Sequence, residues 1–181
     1  MKRTADEVLA LLAEHGGHFF ALLFRLTLRN DVAEDLMQEL FCKLSRSDQF
    51  RAARDPYAYA FRAATNLAFG YRRRQRRLPL SHVADGDVQV ADPAGRDQSP
   101  LADLVRREEL SRVLDAIGRL PRTARDIVVL RYLERESFET IGDRLGKTPH
   151  QVRALCHKGI VRLRRMLGET PTRPDRKAET S

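Results

Sequence analysis

Apolar side chains recur at helical spacing along the first half of the chain. Leu36, Leu40 and Leu44 follow one another at four-residue intervals. A second stripe of apolar positions consists of Tyr57, Phe61, Ala64, Ala68 and Tyr71. Because residues three or four apart share one face of a helix, each stripe predicts an amphipathic helix with a buried face. The chain has no alternating apolar and polar run bounded by turn residues, so the pattern predicts an all-α fold.

Polar residues ahead of these stripes predict where the two helices begin. Asp31 is followed three residues later by Glu34, which predicts that Asp31 is the N-cap of the first helix. Asp55 directly precedes Pro56. Asp at the N-cap with Pro at the first helical position is a favourable start for the second helix.

Two more start signals lie close together in the second half. Ser137 is a favourable N-cap, and Gly146 readily adopts the left-handed conformation that ends a helix. Thr148 then begins a new helix, with Pro149 at its first position and Gln151 at its third, which is a capping-box arrangement. Two helices joined by so short a turn predict a helix-turn-helix, whose second helix enters the major groove of DNA.

The charge of the second of these helices favours contact with DNA. Residues 146–167 include six Lys and Arg residues and no acid. His150, Gln151 and Arg153 stand where base edges are met, while Lys158 lies further along, where phosphates are the natural contact. The alternative interpretation is a helical hairpin with a solvated basic face.

The helix predicted to begin at Asp55 carries a second candidate nucleic-acid surface. It ends in a run of five arginines between residues 71 and 77. On the face away from its apolar stripe lie Tyr59, Arg62, Asn66, Phe69 and Arg73, which we call the aromatic-arginine face. Aromatic rings interleaved with Arg and Asn suit unpaired bases, which stack on the rings while cations meet the backbone. The alternative is that Tyr59 and Phe69 pack under the domain.

The helix predicted to begin at Asp31 carries an acidic polar side. Asp35, Gln38 and Glu39, together with Cys42, lie on this side, and we call them the acidic patch. An acidic surface repels DNA, so we interpret it as a candidate docking surface for a protein. A plain solvated face is the alternative.

The distribution of charge predicts how the chain divides. Residues 1–77 and 104–167 are both net basic, whereas residues 78–103 contain Arg96 and five Asp residues among several Pro and Gly. We therefore predict two helical domains joined by a flexible acidic linker over 78–103, with a disordered tail over 168–181. An ordinary long surface loop is the alternative for the middle segment.

Composition narrows the class of protein. The 181 residues include 33 Lys and Arg against 25 Asp and Glu, a net charge of +8, which favours a polyanionic partner. The apolar run around 19–24 is shorter than the ~20 residues of a membrane span, and two cysteines do not form a disulfide framework. We therefore expect a cytoplasmic protein.

Enzyme chemistry has no sequence support. The five histidines are scattered, and no zinc-ligand spacing joins them to Cys42 or Cys156. A phosphate-binding glycine loop and a nucleophile elbow are also missing from the sequence. We expect no catalytic residues, no metal site and no cofactor.

Taken together, four segments resemble one family. Residues 34–41, 55–77, 120–133 and 137–157 resemble, in order and spacing, regions 2.2, 2.3 to 2.4, 4.1 and 4.2 of the extracytoplasmic-function (ECF) sigma factors, in the sigma-70 family. The resemblance covers about residues 18–77 and 104–167. It implies a bacterial transcription initiation factor that binds core RNA polymerase and promoter DNA, and that is usually inhibited by an anti-sigma factor.

The resemblance also implies a role for each candidate surface. The acidic patch residues Asp35, Gln38 and Glu39 are expected to bind core polymerase, and the aromatic-arginine face to bind the −10 element, with a base pocket near residues 49–54. The residues expected to bind the −35 element are Thr148, His150, Gln151, Arg153, His157 and Lys158. We call them the α8 reading set, where α8 is the helix predicted to begin at Thr148.

Two further expectations accompany the resemblance. Gly142 stands where the family frequently has Ala, and we expect it to cost roughly 1 kcal/mol of helix propensity. The rival function is an autonomous helix-turn-helix repressor or activator, which accounts for residues 137–167 but not for the acidic patch or the aromatic-arginine face.

Overall fold

The structure, a computed structural model, describes residues 2–77 and 100–168, without the side chains of 2–4 and 100. The helices of the first part are α1 (Lys2–Thr27), α2 (Asn30–Ser45), α3 (Asp48–Arg51) and α4 (Pro56–Gln75). Those of the second part are α5 (Pro100–Gly118), α6 (Arg122–Val128), a π-helical turn (Val129–Leu133), α7 (Phe138–Leu145) and α8 (Pro149–Leu167). The described residues contain no strand, so the all-α prediction is confirmed.

Helices α1, α2 and α4 pack against one another as the first domain. The predicted stripe of α2 is buried, with Leu36, Leu40 and Leu44 each at most 3% exposed. Phe61 and Ala64 of the predicted α4 stripe are buried in the same core. This three-helix core positions the outward faces of α2 and α4.

Helix α1, with 26 residues, extends well beyond the apolar run around 19–24. Its segment Ala5–Thr27 is long and apolar enough, by length and composition alone, to cross a membrane. A core helix passes the same test, and Phe19, Leu22 and Leu26 of α1 are fully buried in the first-domain core. Its packing against α2 and α4 gives this helix a structural role within the bundle.

The predicted N-cap of α2 is wrong. The helix begins at Asn30, and the preceding Arg29 makes no side-chain cap. Asp31 lies inside the first turn, where its carboxylate accepts hydrogen bonds from Arg29 at 2.6 and 3.1 Å. That ion pair lowers the pKa of Asp31, the hydrogen bond from Arg29 being the largest cause. By contrast, the predicted cap of α4 is confirmed, because Asp55 accepts from the Ala58 amide at 2.9 Å.

Helix α5 overlaps the end of the predicted linker. Helix α5 starts at Pro100, so the last four residues of the predicted 78–103 linker are helical, consistent with proline at a first helical position. The rest of that linker, 78–99, and the tail after residue 168 lie outside the described residues. Helices α5 and α6 pack against α8, which in turn packs against α7.

Candidate nucleic-acid interface

Helices α7 and α8 form the predicted helix-turn-helix. Ser137 accepts from the Thr140 amide at 3.1 Å, and Gly146 ends α7 with a left-handed φ of 63°. Thr148 accepts from the Gln151 amide at 3.2 Å, while the Gln151 side chain accepts from the Thr148 amide at 3.1 Å. All three predicted signals are therefore confirmed, including the capping box.

Gly142 is required by the turn, so the expectation that it merely weakens α7 is incomplete. A Cβ built at this position would stand 2.6 Å from the backbone carbonyl oxygen of Lys147. Conversely, the Lys147 amide donates to the Gly142 carbonyl at 2.9 Å. The chain folds back so tightly over residue 142 that there is no room for a side chain, a constraint that helix propensity does not express.

All members of the α8 reading set are exposed in the described structure. Two of them already make local hydrogen bonds, because the capping box uses the Thr148 hydroxyl and the Gln151 side-chain oxygen. Arg153 is steadied by Phe138, whose ring centroid lies 5.2 Å from its guanidinium carbon. The helix therefore presents its polar N-terminal part to solvent with one arginine held in place.

A basic surface continues along α8 beyond these residues. A shallow depression of ≈ 650 Å³ is lined by His157, Lys158, Val161, Arg162, Arg165 and Met166. Cations spaced along an exposed helix suit the phosphate backbone, which fixes register without reading sequence. The geometry of α7 and α8 therefore fits a duplex in which the N-terminal part of α8 meets base edges.

The aromatic-arginine face of α4 is only partly exposed. Arg62 and Arg73 are exposed and Asn66 is half-buried, but Phe69 is 2% exposed. Tyr59 packs on Phe50 at 5.9 Å between ring centroids. Phe69 is therefore packed, as the alternative interpretation expected, but the residues that cover it lie in the second domain.

Residues of the second domain cover the middle of this face. The Phe69 ring lies against Gly118, where an added Cβ would be 2.9 Å from the ring. Arg125 lies over the same ring at 5.1 Å and donates a hydrogen bond to the side-chain oxygen of Asn66. Arg125 is not recognisable from the sequence, because both of its partners lie on the other domain and Asn66 is 59 residues away.

Part of the arginine run between residues 71 and 77 also contacts the second domain. Arg72 donates from Nε to Asp115 at 3.0 Å and from Nη2 to the carbonyl and the hydroxyl of Ser111, both at 2.8 Å. Arg76 lies 3.5 Å from the other oxygen of Asp115. Of the five arginines in this run, these two contact α5.

The segment before α4 forms one wall of a cleft between the domains. Ser47 caps α3 and its hydroxyl lies 2.9 Å from that of Tyr59. A cleft of ≈ 1120 Å³ has Gln49, Arg54, Tyr59 and Arg62 on this wall. Its other wall comes from residues 140–151, so the expected base-pocket segment faces the helix-turn-helix.

The acidic patch lies apart from these contacts, on the solvent side of α2. Asp35, Gln38, Glu39 and Cys42 are all exposed, opposite the buried Leu36 and Leu40. Within residues 2–77 and 100–168, no group of three or more His, Cys, Asp or Glu side chains is arranged to hold a metal ion.

Comparison with known families matches both parts of the chain. Sigma-70 region 2 matches residues 11–78, and sigma-70 region 4 matches residues 116–165. The chain is 31% identical to the RNA polymerase sigma factor CarQ of Myxococcus xanthus, over 88% of this chain and 88% of the relative. It is also 31% identical to the ECF RNA polymerase sigma-E factor of Haemophilus influenzae, over 85% of this chain and 79% of the relative.

A solved structure is also similar to most of this chain. CnrH in complex with the cytosolic domain of CnrY matches 92% of this chain and 94% of that chain, with 19% identity and a TM-score of 0.49. The matches to region 2 and to near full-length sigma factors exclude the rival reading of a lone helix-turn-helix regulator. The chain belongs to the ECF sigma factors of the sigma-70 family and is an RNA polymerase sigma factor.

Proposed function

We propose that this sigma factor divides its work among three surfaces. The acidic patch binds core RNA polymerase, the α8 reading set binds the −35 element, and the aromatic-arginine face binds the −10 element. The observation that supports this division is the separation of charge. An exposed acidic face on α2 and an exposed basic α8 belong to different domains of one chain.

The proposal assigns recognition to this chain and catalysis to the polymerase. Stacking of the unpaired −10 bases on aromatic and arginine side chains offsets the few kcal/mol that it costs to unstack them from the duplex. The −35 contacts hold the upstream duplex in register while this occurs. We propose residues 1–77 and 104–167 as the two functional units, acting in the bacterial cytoplasm where core polymerase is found.

Charge reversal tests the acidic patch. We expect Asp35→Lys with Glu39→Lys to weaken binding to purified core polymerase at least about tenfold, because complementary charges become repulsive. Asp103→Lys with Glu108→Lys is the matched control, since it reverses two exposed acids on α5. Assembly is measured by fluorescence anisotropy of the labelled chain, and initiation by run-off transcription. Normal assembly of the α2 variant contradicts the assignment of the patch.

Loss of one arginine tests the α8 reading set. We expect Arg153→Ala to weaken upstream promoter binding by about 1–3 kcal/mol, the value of a good bidentate contact to a base. In run-off transcription from a promoter library, the Arg153→Ala variant should lose base preference at one upstream position. Lys158→Ala is the comparison, because losing a phosphate contact weakens all promoters alike. Identical profiles for the two variants mean that Arg153 does not read sequence.

An anti-sigma factor is the remaining partner that we propose, on the ground of family membership. Such a protein must lower initiation when added to a purified reaction of this chain, core polymerase and promoter. A protein that co-purifies with the chain but leaves run-off transcription unchanged does not fill that role.

A further inference from the structure

Two arginines of the second domain contact the same aromatic ring, that of Phe138. The ring centroid lies 4.7 Å from the guanidinium carbon of Arg131 and 5.2 Å from that of Arg153. A guanidinium within about 6 Å of a ring centroid is attracted by the negative face of the ring. Arg131 belongs to the π-helical turn and Arg153 to α8, so one side chain of α7 links three elements of the second domain.

Local contacts fix the position of the Phe138 ring. Phe138 is the first residue of α7, directly after the N-cap Ser137. Its half-buried side chain packs against the hydrophobic core. Arg131 is tied to the loop before α7, because its Nη1 donates to the Glu136 carbonyl at 2.8 Å. The ring is therefore held by its helix start, by the core and by an anchored arginine, and its position does not depend on Arg153.

Arg153 is held much less firmly by the rest of the protein. Its side chain is exposed near the start of α8. In the described parts of the chain, its guanidinium makes no hydrogen bond and no ion pair, so Phe138 is the group that orients it. A long side chain without such a contact samples many rotamers, and ordering it on binding costs entropy. The ring therefore determines how far this guanidinium is ordered before DNA binds.

An acid stands beside the two arginines without occupying either of them. The pKa of the exposed Glu139 is lowered first by its own backbone amide and then by Ser137, while the charges of Arg153 and Arg131 contribute less. The Glu139 carboxylate is thus near enough to feel the charge of Arg153 but does not bind its donors.

A contact with a ring leaves the donors of an arginine available. The guanidinium is planar and carries five N–H donors directed along its edges, so a contact between its face and a ring uses none of them. A carboxylate partner, by contrast, takes the same donors that a base needs. Two of these N–H groups match the O6 and N7 acceptors of guanine in the major groove, which is the commonest specific contact of arginine with DNA.

We propose that Phe138 is a positioning residue for promoter recognition, and that its ring orders Arg153 for a bidentate contact with one guanine of the −35 element. This inference rests on the proposed reading role of Arg153. It adds a residue that lies outside α8 and acts through Arg153 without touching a base. The base preference at one upstream position consequently depends on the aromatic character of a residue in α7.

Substitutions at Phe138 separate the aromatic face from the apolar bulk of the side chain. Phe138→Leu keeps an apolar side chain but removes the aromatic face, whereas Phe138→Tyr keeps the face and is the conservative variant. Leu145→Ala is the matched control, because it shortens another half-buried α7 side chain that packs against the core. Each full-length variant is assayed with core polymerase by run-off transcription from a promoter library, and thermal unfolding shows whether it remains folded.

The readout is the relative preference for each base at each upstream position. We expect Phe138→Leu to reduce the preference for guanine about two- to fivefold, the range of an exposed cation–π contact, at the position that Arg153→Ala also affects. Phe138→Tyr should keep the preference, and Leu145→Ala should lower transcription from all promoters alike. In the Arg153→Ala background, Phe138→Leu should cause no further loss of preference, because the residue that it positions is absent.

The possible results distinguish this inference from the proposed function. An unchanged preference in Phe138→Leu, together with a relaxed preference in Arg153→Ala, overturns the inference and leaves the reading role of Arg153 intact. A further loss in the double variant also overturns it, because Phe138 then contributes without Arg153. So does a Phe138→Tyr variant that behaves like Phe138→Leu. If Arg153→Ala itself keeps the wild-type preference, the proposed reading role fails, and the inference fails with it.

Discussion

The two candidate DNA-binding surfaces differ in how exposed they are in the DNA-free chain. The α8 reading set is exposed, and its geometry is fixed by contacts inside the helix-turn-helix. The aromatic-arginine face is partly covered, and Asn66 and Phe69 hold contacts to Gly118 and Arg125 of the other domain. A contact residue is therefore accessible where its support is local, and covered where its support comes from the other domain.

The stability of the helix-turn-helix is expected to depend most on its turn, where Gly142 lies against Lys147. We expect Gly142→Ala to lower the free energy of unfolding by about 3 kcal/mol, because the new methyl group meets the rigid Lys147 carbonyl 2.6 Å away. Gly17→Ala is the control, since a Cβ at that exposed helical position meets nothing within 4 Å. It should stabilise by up to about 1 kcal/mol through helix propensity. Urea unfolding measures both, and equal effects contradict the close approach at residue 142.

A pair of alanine variants contrasts the two surfaces directly. We expect Asn66→Ala to destabilise the DNA-free chain by about 2 kcal/mol, because it removes the acceptor of a charged donor on buried Arg125. His150→Ala removes an exposed side chain and should change stability by less than about 0.5 kcal/mol. Thermal unfolding in the absence of DNA measures both. If both variants are neutral, the Arg125 contact contributes nothing in solution.

A smaller, pH-dependent effect is expected at the edge of the interface. Burial is the largest cause that raises the pKa of Glu136, with Glu134 and Asp55 adding to it and Arg144 opposing it. Its stabilising contribution is therefore fully present below the unfolded value near 4.5 and is lost as pH rises through the raised folded value. We expect the Tm advantage of Glu136→Gln over the wild type to grow from pH 5 to pH 7.

Glu139→Gln is the control for this pH effect. The Glu139 carboxylate is fully exposed, and its pKa is lowered, first by its own backbone amide and then by Ser137. A lowered pKa leaves this group ionised throughout the window from pH 5 to pH 7. The Tm difference of this variant should therefore stay flat, and a Glu136→Gln difference that is equally flat contradicts the stated cause.

Signals that act within a few residues were readable from the sequence. Asp55, Ser137 and Thr148 each cap the helix that they were predicted to cap, because an N-cap accepts from an amide three residues ahead. Asp31 shows the limit of this reasoning. Its carboxylate pairs with the neighbouring Arg29, a competing partner that the capping pattern did not weigh, and the helix begins earlier.

Contacts between the domains were not readable in the same way. Phe69 lies on the side of α4 opposite to its apolar stripe, and its burial is explained by Gly118 and Arg125 of the second domain. In the sequence Arg72 is one cation of an arginine run, but in the structure it binds Asp115 and Ser111 of α5. These contacts join residues about 40 to 60 positions apart, and neither partner alone carries a sign of the other.

Run-off transcription with purified core polymerase, from promoters mutated in one element at a time, is the decisive measurement for the division of work among the three surfaces. We predict that the chain directs initiation from the intact promoter, and that mutating the −35 element removes the effect of Arg153→Ala whereas mutating the −10 element does not. Initiation that is unchanged by mutating either element would contradict the assignment of these surfaces.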